Sequence, residues 1–223
     1  DHIGLAGWLH AEYGAELVIS REEWTFGRMV STGGLKDVEA YNKYFLQIGC
    51  AEEDLEDYCA HIMTADKLYC DVPHRYRRLR EDRTVTIGGK SWQVIVGLGH
   101  AMEHVCLYCA ESNILIAGDQ VLPKITPTIL VHANEPNANP LLDFLESNEK
   151  LRHLPEDVTV LPSHNQPFTG LHTRLDYYIT HHEERLETVL AACDEALNGL
   201  EVAGALFPQD LDIYGKFFAT GEA

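Results

Sequence analysis

Asn113-Ile114-Leu115-Ile116-Ala117-Gly118-Asp119 is the stretch that decides the fold. An apolar run ends in a glycine and then a carboxylate, the pattern of a buried strand that delivers an acid to the edge of a sheet. Working outward, the pattern recurs twice. Trp92-Gln93-Val94-Ile95-Val96 leads to Gly99-His100, and Val158-Thr159-Val160-Leu161 leads to Pro162-Ser163-His164. Each strand-like run thus places an imidazole or a carboxylate just past its end, where a rigid scaffold can gather side chains distant in sequence. At the front of the chain, Asp1-His2-Ile3-Gly4 adds an acid and an imidazole at a loop-to-helix junction. Neutral imidazole nitrogens and carboxylate oxygens suit zinc and similar divalent ions, and no thiolate is required.

In this order the residues resemble the metallo-β-lactamase superfamily of binuclear metal hydrolases, whose motifs read His-x-His-x-Asp-His, then His, then Asp, then His. Asp1 and His2 match the last two residues of the first motif, His100 the second, Asp119 the third and His164 the fourth. Gly99-His100-Ala101-Met102-Glu103-His104, Gly118-Asp119-Gln120-Val121-Leu122-Pro123 and His181-His182-Glu183-Glu184-Arg185-Leu186 are similar to a glyoxalase-II-like and β-lactamase-like branch. The resemblance covers nearly the whole chain. It implies an α/β fold, the αββα sandwich, with a helical insertion and a helical C-terminal tail. It also implies that Asp1, His2 and His164 hold one metal, that Asp119 bridges, and that His100 serves a second metal with two upstream histidines absent from this sequence.

By the same resemblance Asp1 and Asp119 are the expected catalytic residues. Zinc is the expected cofactor, two ions in the intact protein, with iron or manganese as alternatives. The implied reaction is hydrolysis of an ester, thioester or related acyl bond by a metal-activated water. A phosphodiesterase or nuclease of the same superfamily, or a catalytically incomplete fragment with a structural role, is the alternative. Ala101-Met102 stands where the branch has Ser-Pro, and Asn165 where it has Gly after the last ligand. The missing histidines, the missing strands that carry them and the absence of an initiator Met predict an internal segment of a longer protein, its first sheet incomplete.

Composition bounds the function. A chain of 223 residues can bury a substantial core, and one α/β domain with an appendage is the prior. Seventeen basic residues against 35 acidic ones leave a formal charge of −18. That balance argues against nucleic acid as a partner, because such binding rests on neutralising phosphates with Lys and Arg. A small-molecule acyl substrate is the expected partner, no membrane is expected, and a homo-oligomer is compatible with the sequence. Six cysteines scattered through helix- and strand-like segments point to a reducing, cytoplasmic compartment rather than a disulfide scaffold.

Periodicity organises the rest. Residues 4–13 predict a helix that buries one face, followed by a short strand over 16–19. Ser20-Arg21-Glu22-Glu23 is a capping-box sequence and predicts a helix ending near Gly33-Gly34. Helical patterns follow over 37–48 and 52–64, so 20–80 is a helical insertion, expected to border the metal pocket and select substrate. A hairpin turning at Gly88-Gly89, a strand pair over 105–108 and 113–117, a helix from Asn139-Pro140 to 154 and a long helix over 171–197 ending at Asn198-Gly199 complete the chain. The domain division is 1–172 for the metal-binding domain and 173–223 for the helical extension.

Other histidines and clusters carry weaker signals. His104 and His132 are candidate substrate-binding residues, against the alternatives of a strand-opening residue supporting the ligands and a solvated loop residue. His181 and His182 could suggest a metal site, but only one of two adjacent helical residues can face inward, which favours packing. Cys106-x-x-Cys109 on one strand would point its thiols to opposite faces, which favours burial over a redox or zinc pair. Arg75-Tyr76-Arg77-Arg78 could bind a carboxylate or form a solvated patch.

Overall fold

The computed structural model describes residues 2–34, 36–64, 67 and 70–223. The elements begin with α1 (Ala6–Tyr13), β1 (Val18–Ile19), α2 (Arg21–Ser31), α3 (Val38–Gln47) and α4 (Leu55–Thr64). Next come β2 (Arg77–Arg78), β3 (Thr84–Ile87), β4 (Lys90–Gly97), β5 (His104–Cys109), β6 (Ile114–Gly118) and α5 (Pro140–Asn148). The chain closes with β7 (Thr159–Pro162), α6 (Leu171–Ala192), α7 (Gly199–Leu206) and α8 (Ile213–Glu222). Strands β3 to β7 form one five-stranded sheet in sequence order, antiparallel except for the parallel β6–β7 pair, while β1 and β2 form a separate parallel pair.

Strand alternation makes the core. Ile95, Cys106, Tyr108, Leu115, Ala117, Val158 and Val160 face one side, where Phe144 of α5 and Leu171, Leu175 and Tyr178 of α6 cover them. On the opposite face Val85, Val94 and Val96 pack with Val105 and Leu107. Both faces of β5 are therefore covered, and Cys106 and Cys109 are both buried as free thiols. Gly88 and Gly89, at φ 60° and 79°, make the tight β3–β4 turn with the positive φ that two-residue hairpins require. α6 runs unbroken across residues 172 and 173, its first half in the core of the sheet.

Four local expectations are corrected. First, α1 buries no residue: Trp8 and Leu9 stay 47% and 44% exposed. Its contact side is glycine, for a Cβ on Gly7 would lie 2.0 Å from the Asp71 carbonyl oxygen, and Gly4 O accepts from the Cys70 amide. Second, Ser20 and Glu23 form no capping box. Ser20 Oγ donates to Glu103 O, Glu23 Oε1 accepts from the Met102 and Glu103 amides, and Glu103 Oε2 accepts from the Glu22 amide. The helix exists, but its end is satisfied from across the fold. Third, α5 stops at Asn148 and continues as a 3₁₀ turn over Glu149–His153. Fourth, the long helix ends at Ala192, and Asn198-Gly199 opens α7 instead, with Asn198 and Glu201 in a reciprocal capping box. The Asn-x-x-Glu spacing outweighs the helix-stop signal of Asn-Gly.

Tyr178 links α6 to the loop after Asp119: its hydroxyl donates to Leu122 O at 3.0 Å and accepts from the Leu122 amide at 2.8 Å. Replacing Tyr178 with Phe leaves the Leu122 amide without its partner in the core, while Leu122 O keeps its bond from Arg174 Nε, at a cost of roughly 1–3 kcal/mol. Chemical denaturation of Tyr178→Phe should show that loss. A second test concerns pH. Burial, with His181 and Arg185 nearby, pushes His182 from 6.5 down to about 4, and its Nε2 is buried without a hydrogen-bond partner. The fold holds the neutral ring, so the stability it contributes is present above pH 6.5 and is lost as pH falls toward about 4. His182→Phe should flatten the fall in melting temperature across that window, and an unchanged slope would contradict the assignment.

Candidate metal centre

Asp119 is the centre of the site. It follows the bulged end of β6, where Gly118 takes a left-handed φ of 54°, and its residue is 2% exposed. A Cβ on Gly118 would lie 2.4 Å from His104 Cε1, so a side chain there is excluded by strain and by space together. His2 Nε2 lies 2.5 Å from Asp119 Oδ2, His164 Nε2 lies 3.3 Å from Oδ1, and His100 Nε2 lies 3.7 Å from Oδ2. Three imidazoles, from residues 2, 100 and 164, are thus gathered on one carboxylate.

The sheet accounts for this convergence. β6 and β7 are parallel neighbours, and the Ser163 amide donates to Gly118 O, so Asp119 and His164 leave adjacent strand ends. Asn165 adopts φ 68°, a left-handed conformation that Asn tolerates better than most residues, which accounts for Asn in a position where the resembling branch has Gly. His100 follows β4, and its Nδ1 lies 2.7 Å from Thr128 O, which fixes the ring and turns Nε2 toward Asp119. His2 sits in the turn before α1. Asp1 lies outside the described residues.

Ligand atoms of His2, Asp119 and His164 all lie within 4.8 Å of one another. Asp119 Oδ1 is buried and accepts no hydrogen bond. A desolvated carboxylate oxygen with no donor is costly unless a cation faces it, and two imidazoles with a carboxylate are a donor set that a catalytic zinc accepts. The residues fit a divalent metal.

His104 takes the position of the alternative given for it, a strand-opening residue that supports the ligands. Its Nε2 accepts from the Asp119 amide at 3.0 Å, and it opens β5 behind the carboxylate. Burial and the neighbouring His100 push it down to about 4, so it is a neutral acceptor near pH 7. His132 is exposed in the loop beyond Thr128, its ring centroid 6.2 Å from that of Phe26. His181 and His182 lie on α6 among Tyr177 and Phe144, and no described metal-binding group includes them. Two supports escaped the sequence. Thr128 acts through its backbone carbonyl and leaves no side-chain signal. Gln120, fully buried, donates to Leu98 O and Asn148 Oδ1 and so ties the strand end before His100 to the residue after Asp119.

Replacing His104 with Phe should leave the Asp119 amide unpaired and loosen the carboxylate. Loss of such an outer partner weakens metal binding by about 10- to 100-fold. Chelator competition against zinc reads this directly, and an unaltered affinity would remove His104 from the support of the site.

Comparison with known proteins bears on the same residues. The sequence profile of the metallo-beta-lactamase superfamily matches residues 1–164. Over 125 residues the chain is 26% identical to a protein of Bacillus subtilis named as a probable metallo-hydrolase, a match that covers 54% of this chain and 39% of that protein. The crystal structure of a beta-lactamase domain protein from Burkholderia ambifaria superimposes with a TM-score of 0.88 at 34% identity, over 100% of this chain and 64% of that one. A metallo-beta-lactamase family protein from Thermus thermophilus gives a TM-score of 0.80 at 29% identity, over 100% and 68%. The chain spans about two fifths of the length of the curated relatives it matches. On its sequence, its fold and the order of its strand-end residues, this chain belongs to the metallo-beta-lactamase superfamily.

Proposed function

We propose that the chain carries the metal-binding part of a hydrolase acting on ester, thioester or related acyl bonds, with zinc as the ion. The observation that carries this is the convergence of His2, Asp119 and His164 around a buried carboxylate oxygen that accepts no hydrogen bond. Superfamily membership supports metal-dependent hydrolysis in general. The acyl class rests on charge: at −18, the chain repels polyanionic substrates more than neutral acyl groups.

His2, Asp119 and His164 would hold the ion, and Asp1 would join them. A metal in this position supplies Lewis acidity and brings the pKa of a water toward neutrality. The protein's share is orientation. His104 holds the Asp119 backbone, Thr128 O turns His100 Nε2 toward the same carboxylate, and the Ser163–Gly118 hydrogen bond keeps His164 beside it. His2 and His100 lie nearest Asp119 Oδ2 and His164 nearest Oδ1, so imidazoles approach both carboxylate oxygens, which would suit a bridging role.

Zinc titration of the 223-residue chain should reveal one tightly held ion, because among the described residues only His100 and Asp119 serve the second position. Asp119→Ala or His164→Ala should abolish it. Weak thioester or ester hydrolysis should vanish with a chelator and return with zinc, while a phosphodiester panel stays uncleaved. Faster phosphodiester cleavage would replace the acyl assignment with a nuclease one. Two tightly bound ions with full turnover would show that the ligands named here are not the whole set.

A further inference from the structure

α2 lies across the loops of the metal centre and touches a neighbour of each. Glu23 Oε1 accepts from the Met102 and Glu103 amides, just past His100. One turn later the Phe26 ring meets that of His132, in the loop whose Thr128 carbonyl orients His100. Gly27 then rests on Ile3, the residue after His2: a Cβ there would stand 3.0 Å from Ile3 Cδ1. Glu23, Phe26, Gly27 and the buried Val30 share one helix face, whereas Arg21, Glu22 and Thr25 are exposed. The inward face of α2 is therefore directed at the segments carrying His2 and His100.

On that face Glu23 and Gly27 are committed to holding the loops. Phe26 is not. It is only half-buried on the helix face it shares with Glu23 and Gly27, and its partner His132 is exposed. The two rings meet at 52°, an angled aromatic pair on the helix face that meets the segments following His100 and His2. Resting on the hydrolase assignment, we infer that Phe26 and His132 select substrates whose acyl part is aromatic. An aromatic acyl group would gain both ring burial and the tilted ring contact that aromatic pairs favour, and an acetyl group would gain neither.

Binding of the carboxylate products tests this without requiring turnover. The zinc-loaded chain is titrated calorimetrically with phenylacetate and with acetate. The unaltered chain should prefer phenylacetate by about tenfold, which corresponds to about 1.4 kcal/mol. The ratio should fall toward one in Phe26→Ala and in His132→Ala, the latter in an irregular loop outside the core, with circular dichroism checking that both variants fold. Tyr177→Ala, on the exposed side of α6, should keep the ratio. No preference in the unaltered chain, or a preference that survives both substitutions, overturns the inference. Failure to hydrolyse any ester or thioester would sink the hydrolase assignment instead, and the two failures are read in separate experiments.

Discussion

Burial of the Asp119 carboxylate is the constraint from which the rest follows. A carboxylate taken out of water needs compensating charge or donors. Here imidazoles enter from residues 2, 100 and 164, and Oδ1, which accepts no hydrogen bond, calls for a cation among them. To assemble them, β6 and β7 must run parallel and side by side, β4 must end at the same edge, and the chain's first turn must reach that edge. The sheet order is the arrangement that gathers these imidazoles on one buried acid. Gly118 and His104 belong to the same demand, since the bulge that aims Asp119 needs a left-handed residue with no side chain, and His104 fills the space a side chain would take.

How much of this was legible depended on where each signal resides. The strands were legible because both faces of the sheet are covered, so apolar runs mark them, and the ligands were legible because each directly follows such a run. Helix starts at Asp37 and Asn139 were legible because the cap is a side chain acting on its own helix. Where a signal serves two purposes, local grammar failed. Ser20 and Glu23 have box spacing, but both bond to residues 102–103, and Glu103 takes over the amide of Glu22. Asn198-Gly199 reads as a stop until Glu201 is counted. In α1 the apolar periodicity was real, yet the contact is made by Gly7, whose value lies in what it lacks. Thr128 was beyond reach altogether, because any residue supplies a carbonyl.

The loop from Asp119 to α5 shows why these nonlocal contacts matter. It contains no regular element, yet it carries the group that orients His100. Arg174 and Tyr178 of α6 hold its first part, through Leu122 O and Ile125 O. Its later part is held by α8 and α3: the Val131 amide donates to Gly221 O, and Tyr44 OH donates to Val131 O. Gly221 is itself close to Leu130, where a Cβ would come within 2.9 Å of Leu130 Cδ2.

Helices that contribute no metal-binding group therefore set the position of one. α3, α6 and α8 all bond to this one loop, at Leu122, Ile125 and Val131. An irregular loop left to itself would sample many conformations, and fixing it has an entropic cost that its own residues cannot offset. The surrounding helices provide the compensating contacts. The loop that carries the Thr128 carbonyl is thus fixed at Leu122 and Ile125 by α6 and at Val131 by α3 and α8, and His100 owes its orientation to helices that hold no ligand.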